Sequence, residues 1–212
     1  MTLLKGKKAL VTGGSRGIGR AISQTFAENG AQVVFTYYKE RNIAIETLNK
    51  LSGEGHQCLE LDLKNEEHIE KAVLDAITIM DGLDILVNNA GIFIDHPINK
   101  TSFGDWKNSW QSTIDTNLIG PANVCFYSAK HFIKEKKGKI INISSRGAYR
   151  GEPNAPAYGA SKAGLNSLSQ SLAVALAPYN IFVGAVAPGF VETDMTNEIL
   201  SGPEGKSIIN QS

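Results

Sequence analysis

The sequence predicts an α/β fold, a doubly wound parallel sheet formed as one domain by residues 1–212. Two patterns predict it. Short apolar runs alternate with amphipathic helical stretches six times along the chain. The runs are apolar almost throughout rather than at every second residue, which is how strands read when both faces of a parallel sheet are covered. Right-handed crossovers then carry the helices onto the sheet. No linker, repeat or low-complexity segment interrupts the alternation, and a chain of 212 residues needs no staples, since it buries about 70% of its unfolded surface.

Ala9-Leu10-Val11 is the first strand, and Ile18, Ala21, Ile22, Thr25 and Phe26 follow at helical spacing. Asn29-Gly30 ends that helix, with glycine in the C′ position. Val33-Val34-Phe35 is the second strand, and Ile43 to Leu51 a helix closed by Gly53. Cys58 to Leu63 forms the third strand. Asn65 caps the next helix, with Glu66 and Glu67 in its first turn, Ile69, Val73, Ile77 and Met80 on its buried face, and Gly82 at its end. Ile85-Leu86-Val87 is the fourth strand and runs into Asn88-Asn89-Ala90-Gly91. A helix near Phe103 carries Trp106, Trp110 and Asn117, the two tryptophans reading as packing or interface. Pro121 breaks or kinks this region, and the helix after it ends at Gly138. Lys139 to Ser144 is the fifth strand, Ala157 to Ala177 a helix, and Ile181 to Ala187 a sixth strand ending in Pro188-Gly189.

Lys plus Arg equals Asp plus Glu at 21 each, so the net charge is zero, which argues against the basic footprint of a nucleic-acid binder. Cys58 and Cys125 sit in apolar surroundings without zinc spacing and read as core thiols. His56, His68, His96 and His131 show no ligand spacing, so no metal site is expected. The N-terminus, M-T-L-L-K-G-K-K, has no apolar stretch long enough for a signal peptide. The run Ile181 to Val191 contains Pro188 and is too short to span a membrane. A cytoplasmic protein is expected.

The chemistry gathers between Ser145 and Lys162. Positions i and i+4 share a helix face, so Tyr158 and Lys162 project side by side, while Ser145 lies at the end of the fifth strand. A free phenol has a pKa of about 10 and is a poor base at neutral pH. An ammonium within roughly 4–6 Å favours phenolate and lowers that value by about 1–3, making Tyr158 a usable general acid/base. The Ser145 hydroxyl can donate to a developing alkoxide. By itself, Y-x-x-x-K also describes a solvated helix face. The first strand-to-helix turn carries Gly13, Gly17 and Gly19, which let backbone approach a phosphate at a helix N-terminus. It is not the G-x-x-x-x-G-K-[ST] phosphate loop, since no lysine follows the last glycine. A tight turn with no ligand has the same sequence.

Taken together, T-G-x-x-x-G-x-G after the first strand, N-N-A-G after the fourth, S-x(12)-Y-x-x-x-K after the fifth and Pro188-Gly189 after the sixth resemble the short-chain dehydrogenase/reductase family. Within that family the similarity is greatest to reductases of the 3-oxoacyl-carrier-protein type. The resemblance runs the length of the chain and implies a Rossmann-like fold and an NAD(P)-dependent oxidoreductase. It implies that Gly13, Ser15, Arg16, Gly17, Ile18 and Gly19 hold the pyrophosphate turn. Asp62 and Leu63 would meet the adenine, while Asn88, Asn89, Ala90 and Gly91 line the ribose side and brace the sheet. Pro188, Gly189 and Thr193 would touch the nicotinamide end. Tyr158 would be the acid/base, Ser145 would orient a carbonyl, Lys162 would bind the nicotinamide ribose, and Asn117 would hold a water that relays protons to Lys162. The substrate would be a small-molecule or thioester carbonyl, and the full-length family is homo-oligomeric. Phe93, Arg150 and the residues after Gly189 would shape the pocket.

An NAD-preferring site places an acidic residue at the end of the second strand. That position is Tyr37, and Arg16 and Lys39 stand ready for a 2′-phosphate, so NADP(H) is expected over NAD(H). Relatives that use an acyl carrier protein have basic residues beside the active-site mouth; Lys136 matches one such position and Tyr179 departs from another. The family continues past the sixth strand with a lid, a further helix and a seventh strand; this chain is expected to lack the helix and the seventh strand, leaving its lid segment nothing to close against. The sixth strand would then be an apolar sheet edge, and the segment from Met195 to Ser212, with Gly202, Pro203 and Gly205, loosely held. Two other readings share the glycine turn: a dinucleotide-binding protein without turnover, and a methyltransferase on a similar sheet, which would not need the Ser–Tyr–Lys set.

Overall fold

The computed structural model describes residues 2–189 and Val191. Thr193 and the segment from Met195 to Ser212 lie outside the described residues. Six strands form one wholly parallel sheet: β1 (Lys8–Val11), β2 (Gln32–Tyr37), β3 (Gln57–Glu60), β4 (Ile85–Asn88), β5 (Gly138–Ile143) and β6 (Ile181–Val186), in the order β3-β2-β1-β4-β5-β6. The order runs outward in both directions from β1 and β4. Right-handed crossovers therefore send helices α1 (Gly17–Glu28) and α2 (Arg41–Leu48) to one face, and α3 (Glu66–Met80), α4 (Phe103–Ile114), α5 (Gly120–Glu135) and α7 (Pro156–Leu176) to the other. Between β5 and α7 lies a single turn, α6 (Gly147–Arg150).

Alternation along each strand feeds two cores. Ala9 and Val11 join Val33, Phe35, Ile85 and Val87 beneath α1 and α2. Leu10 joins Val34, Leu86 and Ile140 beneath α3 and α5, with Ile69, Val73, Val124 and Phe132. Every residue of β1 after Lys8 is at most 1% exposed, the reason these strands read as unbroken apolar runs. No helix among the described residues is long and apolar enough to cross a membrane.

Several local expectations hold. The Asn65 side chain accepts the His68 N–H at 3.1 Å, and Glu66 and Glu67 occupy the first turn of α3. The third strand stops at Glu60, so Asp62 and Leu63 lie past it rather than at its end. Cys125 is buried, but Cys58 is only partly so. Pro121 does not break the helix. A π-helical turn, Asp115–Ile119, precedes it, and proline then falls in the first turn of α5, where its missing N–H is tolerated. Gly138 does not end a helix: Glu135 does, with Lys136 left-handed at φ 52°. Gly138 opens β5 and is glycine because a Cβ there would run into the ring of the fully buried Phe132. Strand β6 is the outermost strand of the described sheet, and Phe182 and Val186 are 65% and 53% exposed along it.

The contact at Gly138 makes a stability prediction. Gly138→Ala should cost about 1–3 kcal/mol by overpacking, read as a lower denaturant midpoint. Adding Phe132→Leu should recover part of the loss. Equal midpoints for parent and Gly138→Ala would show that the ring yields freely.

Candidate active site

The glycine turn begins where β1 and β4 part. Gly13 has a φ of 65° and lies so close to β4 that a Cβ would come within 2.9 Å of Ala90 Cα. Gly14, which the motif leaves open, is packed on Phe35 and Ser23 with no room for a Cβ, and Gly19 is equally tight against Gly13 O and Asn89. Polar bonds lock the turn. Asn89 Nδ2 donates to the carbonyls of Thr12 and Gly13, both at 3.0 Å, and Thr12 Oγ1 accepts the N–H groups of Asn89 and Ala90 at 3.0 and 3.1 Å. Asn89 thus spends its amide on bracing. Ser15 is nearly buried, and its carbonyl is held by Arg20 Nε at 2.9 Å and Thr47 Oγ1 at 2.8 Å.

The turn delivers the chain into α1 at Gly17, with φ 53°, and Ile18. Arg16 sits at the N-cap position, no side chain caps the helix, and its first turn holds no acidic residue. Free N–H groups and an uncompensated positive dipole end are the chemistry that receives a pyrophosphate, so the residues present fit a dinucleotide. At the end of β2, Tyr37 is 8% exposed and packed in the core beneath α1 and α2, so its ring fills core space. Around it stand Lys39, over the Tyr38 ring at 4.8 Å, and Arg16, whose Nη1 lies 3.5 Å from Glu40 Oε2. Asp62 Oδ1 accepts the Lys64 N–H at 3.0 Å, and Leu63 is buried under Gly120.

The second half of the site forms where β5 and β6 end. Ser145 follows β5, and its Oγ accepts the Gly147 N–H at 3.1 Å. Pro188 is pinned to the same loop by the Arg146 N–H at 3.1 Å, and no described residue comes within 4 Å of where a Cβ on Gly189 would lie. Tyr158 and Lys162 come off the first two turns of α7. Tyr158 hydrogen-bonds Ser145 and packs edge-on against Phe93, with ring centroids 5.1 Å apart. Lys162 is 4% exposed, and its Nζ donates to the carbonyl of Ile143 at 2.8 Å. Asn117, in the π-helical turn, is fully buried; its Nδ2 donates to Ile92 O at 2.9 Å and its Oδ1 accepts Ile92 N–H at 2.8 Å. A Cβ on Gly91 would lie 3.2 Å from Asn117 Oδ1 and 3.6 Å from Lys162 Nζ, so N-N-A-G, Asn117 and Lys162 meet at one point.

The electrostatics differ from the sequence expectation. Lys162 does not depress the Tyr158 phenol. Its Nζ is 5.7 Å from the ring centroid and committed to Ile143, and burial pushes Lys162 itself down to about 8. Burial raises the Tyr158 phenol, with the Ser145 hydrogen bond opposing and the Glu152 carboxylate adding to the rise. Tyr158 is therefore a phenol holding its proton at neutral pH, the state of an acid. Glu152 was not anticipated; burial raises its carboxyl, with Arg146 opposing, and it packs against Gly147. Both ends of the Asn117 side chain bond Ile92, and its Nδ2 also donates to Ser161 Oγ at 3.3 Å. Lys136 is not beside the mouth of the site within this chain. It joins Asn180 through a 3.2 Å bond at the start of β5 and β6, a strand length of about 20 Å from Ser145.

A groove of about 610 Å³ is lined by Ala148, Arg150, Glu152, Pro153, Pro156 and Ala160, and none of Ser145, Tyr158 and Lys162 lines it. Thr12, Gly14 and Thr36 shape the site without a signal in the sequence, because each acts through backbone groups distant along the chain. Among the described residues no His, Cys, Asp and Glu cluster could hold a metal.

A doubly wound sheet with a glycine turn at its switch point and a Ser–Tyr–Lys set at the neighbouring strand end defines a nicotinamide-dinucleotide oxidoreductase. The family model described as short chain dehydrogenase matches residues 7–204. A 3-oxoacyl-(acyl-carrier-protein) reductase FabG of Aquifex aeolicus is 42% identical over 196 residues, covering 91% of this chain and 77% of the relative. One from Chlamydia pneumoniae is also 42% identical, over 92% of this chain and 77% of its own. The crystal structure of a dehydrogenase/reductase from Sinorhizobium meliloti 1021 superposes with TM-score 0.89 at 33% identity, covering 99% of this chain and 81% of that one. A short chain dehydrogenase from Burkholderia cenocepacia J2315 in complex with NADP gives 0.84 at 32%, covering 96% and 81%. The chain belongs to the short-chain dehydrogenase/reductase family and is an NAD(P)-dependent oxidoreductase.

The buried ammonium of Lys162 predicts a pH dependence for the cofactor-free protein. Its folded value, about 8, lies below the ordinary 10.5, so the unfolded chain binds more protons between the two. The destabilisation is full below about 8 and is relieved as pH rises towards 10.5. In denaturant titrations the parent should gain up to roughly 3 kcal/mol relative to Lys162→Met across that window. A constant difference between the two proteins from pH 7 to pH 10.5 would mean that Lys162 is solvated in the folded state.

Proposed function

We propose that this protein is an NADP(H)-dependent ketoreductase for small carbonyl substrates, 3-oxoacyl thioesters among them. The observation that carries the reading is the hydrogen bond between Ser145 and a proton-holding Tyr158, set one helical turn from the buried Lys162. Bound nicotinamide would supply the hydride. The residues do the rest. Ser145 and Tyr158 receive the carbonyl oxygen, Tyr158 yields its proton as negative charge builds there, and Ser145 shares that charge. Lys162, held by Ile143 and close to Gly91, would bind the ribose hydroxyls. Asn117 fixes the loop after β4 through Ile92, which sets the floor of the site. The thioester reading draws support from the relatives named as 3-oxoacyl reductases.

Cofactor choice rests on Arg16, Tyr37 and Lys39. No carboxylate ends β2, and a 2′-phosphate would take Arg16 from its exposed partner Glu40, an exchange favoured because that ion pair is open to water. The remaining residues of the cofactor path, Gly13 to Gly19, Asn89 to Gly91 and Pro188-Gly189, would follow pyrophosphate, ribose and nicotinamide in turn.

Two measurements test this. Oxidation of NADPH with a panel of ketones and 3-oxoacyl thioesters should show turnover, and Tyr158→Phe should retain cofactor binding while losing roughly 10²–10⁴ in kcat. A Tyr158→Phe enzyme within a few-fold of the parent would sink the mechanism. The parent should prefer NADP(H) over NAD(H) by at least about tenfold, on the worth of one charge-assisted hydrogen bond, and Arg16→Ala should remove most of that preference. Equal use of both cofactors by the parent would count against Arg16 as the discriminator.

A further inference from the structure

Helix α7 begins without a cap of its own. Its N-cap position is Ala155, whose side chain has no acceptor, and Pro156 opens the first turn. The Tyr158 and Gly159 N–H groups reach back to the Ala155 carbonyl, which leaves the Ala157 N–H without a partner from its own helix. Ala157 is fully buried, so water cannot serve it. The acceptor is His96 Nε2, at 3.3 Å, brought in by the loop after β4. An amide N–H only donates, so Nε2 carries no proton and the ring proton is on Nδ1, where the Ile94 carbonyl accepts it at 2.7 Å. The backbone N–H of His96 donates to Asn154 O at 2.7 Å, tying down the segment that leads into the helix. The residue is 1% exposed and packs edge-on against Trp106, centroids 5.4 Å apart.

We propose that His96 is a positioning residue for Tyr158, capping from a distant segment the helix whose first turn sets the phenol against Ser145. Its kinetic consequence rests on the reading of Tyr158 as the acid/base. The capped amide is one residue before Tyr158 in the chain, and Phe93, which packs on the Tyr158 ring, belongs to the same loop as His96. Loss of the acceptor lets the first turn fray, and a displacement of about 1 Å at a reacting group costs as much as about 10²-fold in rate.

Two substitutions that differ by one methylene separate this from a packing role. His96→Gln places an amide where Nε2 sits and keeps the acceptor for Ala157. His96→Asn reaches only to the position of Nδ1, keeping Ile94 and losing Ala157. Expected for His96→Gln is a kcat within about threefold of the parent, and for His96→Asn a kcat at least about tenfold lower with cofactor KM unchanged. Amide hydrogen exchange at Ala157, which needs no turnover, should be slow in the parent and His96→Gln and fast in His96→Asn. Equal protection in the parent and His96→Asn overturns the cap. Lost protection with undiminished kcat overturns the positioning role. Both variants losing kcat and melting temperature alike would reduce His96 to a core residue. A parent that reduces no carbonyl while the exchange pattern holds sinks the catalytic reading and supports the cap.

Discussion

Strands β1 and β4 lie side by side but send their helices to opposite faces, and the crevice this opens must be held at a fixed width. Thr12 and Asn89 hold it. Four hydrogen bonds of 3.0–3.1 Å cross from one strand end to the other, and Gly13 is pressed on Ala90 closely enough to exclude any side chain. All of these groups are backbone atoms or short, stiff side chains, so the crevice cannot widen without breaking several bonds in a region largely shielded from water. The uncapped start of α1 is aimed across this crevice as a result. The anion-binding end of a dipole and the strand ends that carry the catalytic set are thus part of one rigid piece.

A second line of buried polar groups ties β4 to α7. Asn88 Nδ2 donates to Asn142 Oδ1 at 2.9 Å and Asn142 Nδ2 to Ser169 Oγ at 2.8 Å, all three residues buried. Lys162 adds its bond to Ile143 two turns of α7 closer to the site. Burying an amide or an ammonium is costly, and the three donors here meet acceptors held by the sheet and by α7, while Asn88 Oδ1 is left without a partner. The register of α7 on the sheet is therefore set by polar bonds as well as by Leu165 and Leu176, and that register is what brings Tyr158 to Ser145. Burial has an electrostatic consequence too. It raises the phenol and lowers the ammonium, so both groups are shifted towards their neutral forms.

Three of the four histidines accept a backbone N–H from outside their own element. His56 takes Val33, His131 takes Leu83 and His96 takes Ala157, at 3.0, 3.1 and 3.3 Å. None of these roles is legible from spacing, because the partners are 23 to 61 residues apart. The same blindness explains the errors at Gly138 and Lys136. A glycine after a helical pattern looks like a C-terminal stop, yet this one makes room for Phe132 across the sheet interface. A lysine placed by motif register looks close to the site until the direction of β5 puts it at the far end.

The sequence by itself determined the alternation of strands and helices, the parallel sheet, the glycine turn and the Ser145–Tyr158–Lys162 set, because each is written in local spacing: apolar runs, caps such as Asn65, and i,i+4 on a helix. Tertiary structure alone decided which asparagine braces what, that Gly14 is as tightly packed as Gly13, that Tyr37 fills the core, and that Tyr158 holds its proton. Those outcomes depend on burial and on partners far away in the chain. Desolvation and hydrogen bonding act through space, and no pattern of neighbouring residues records them.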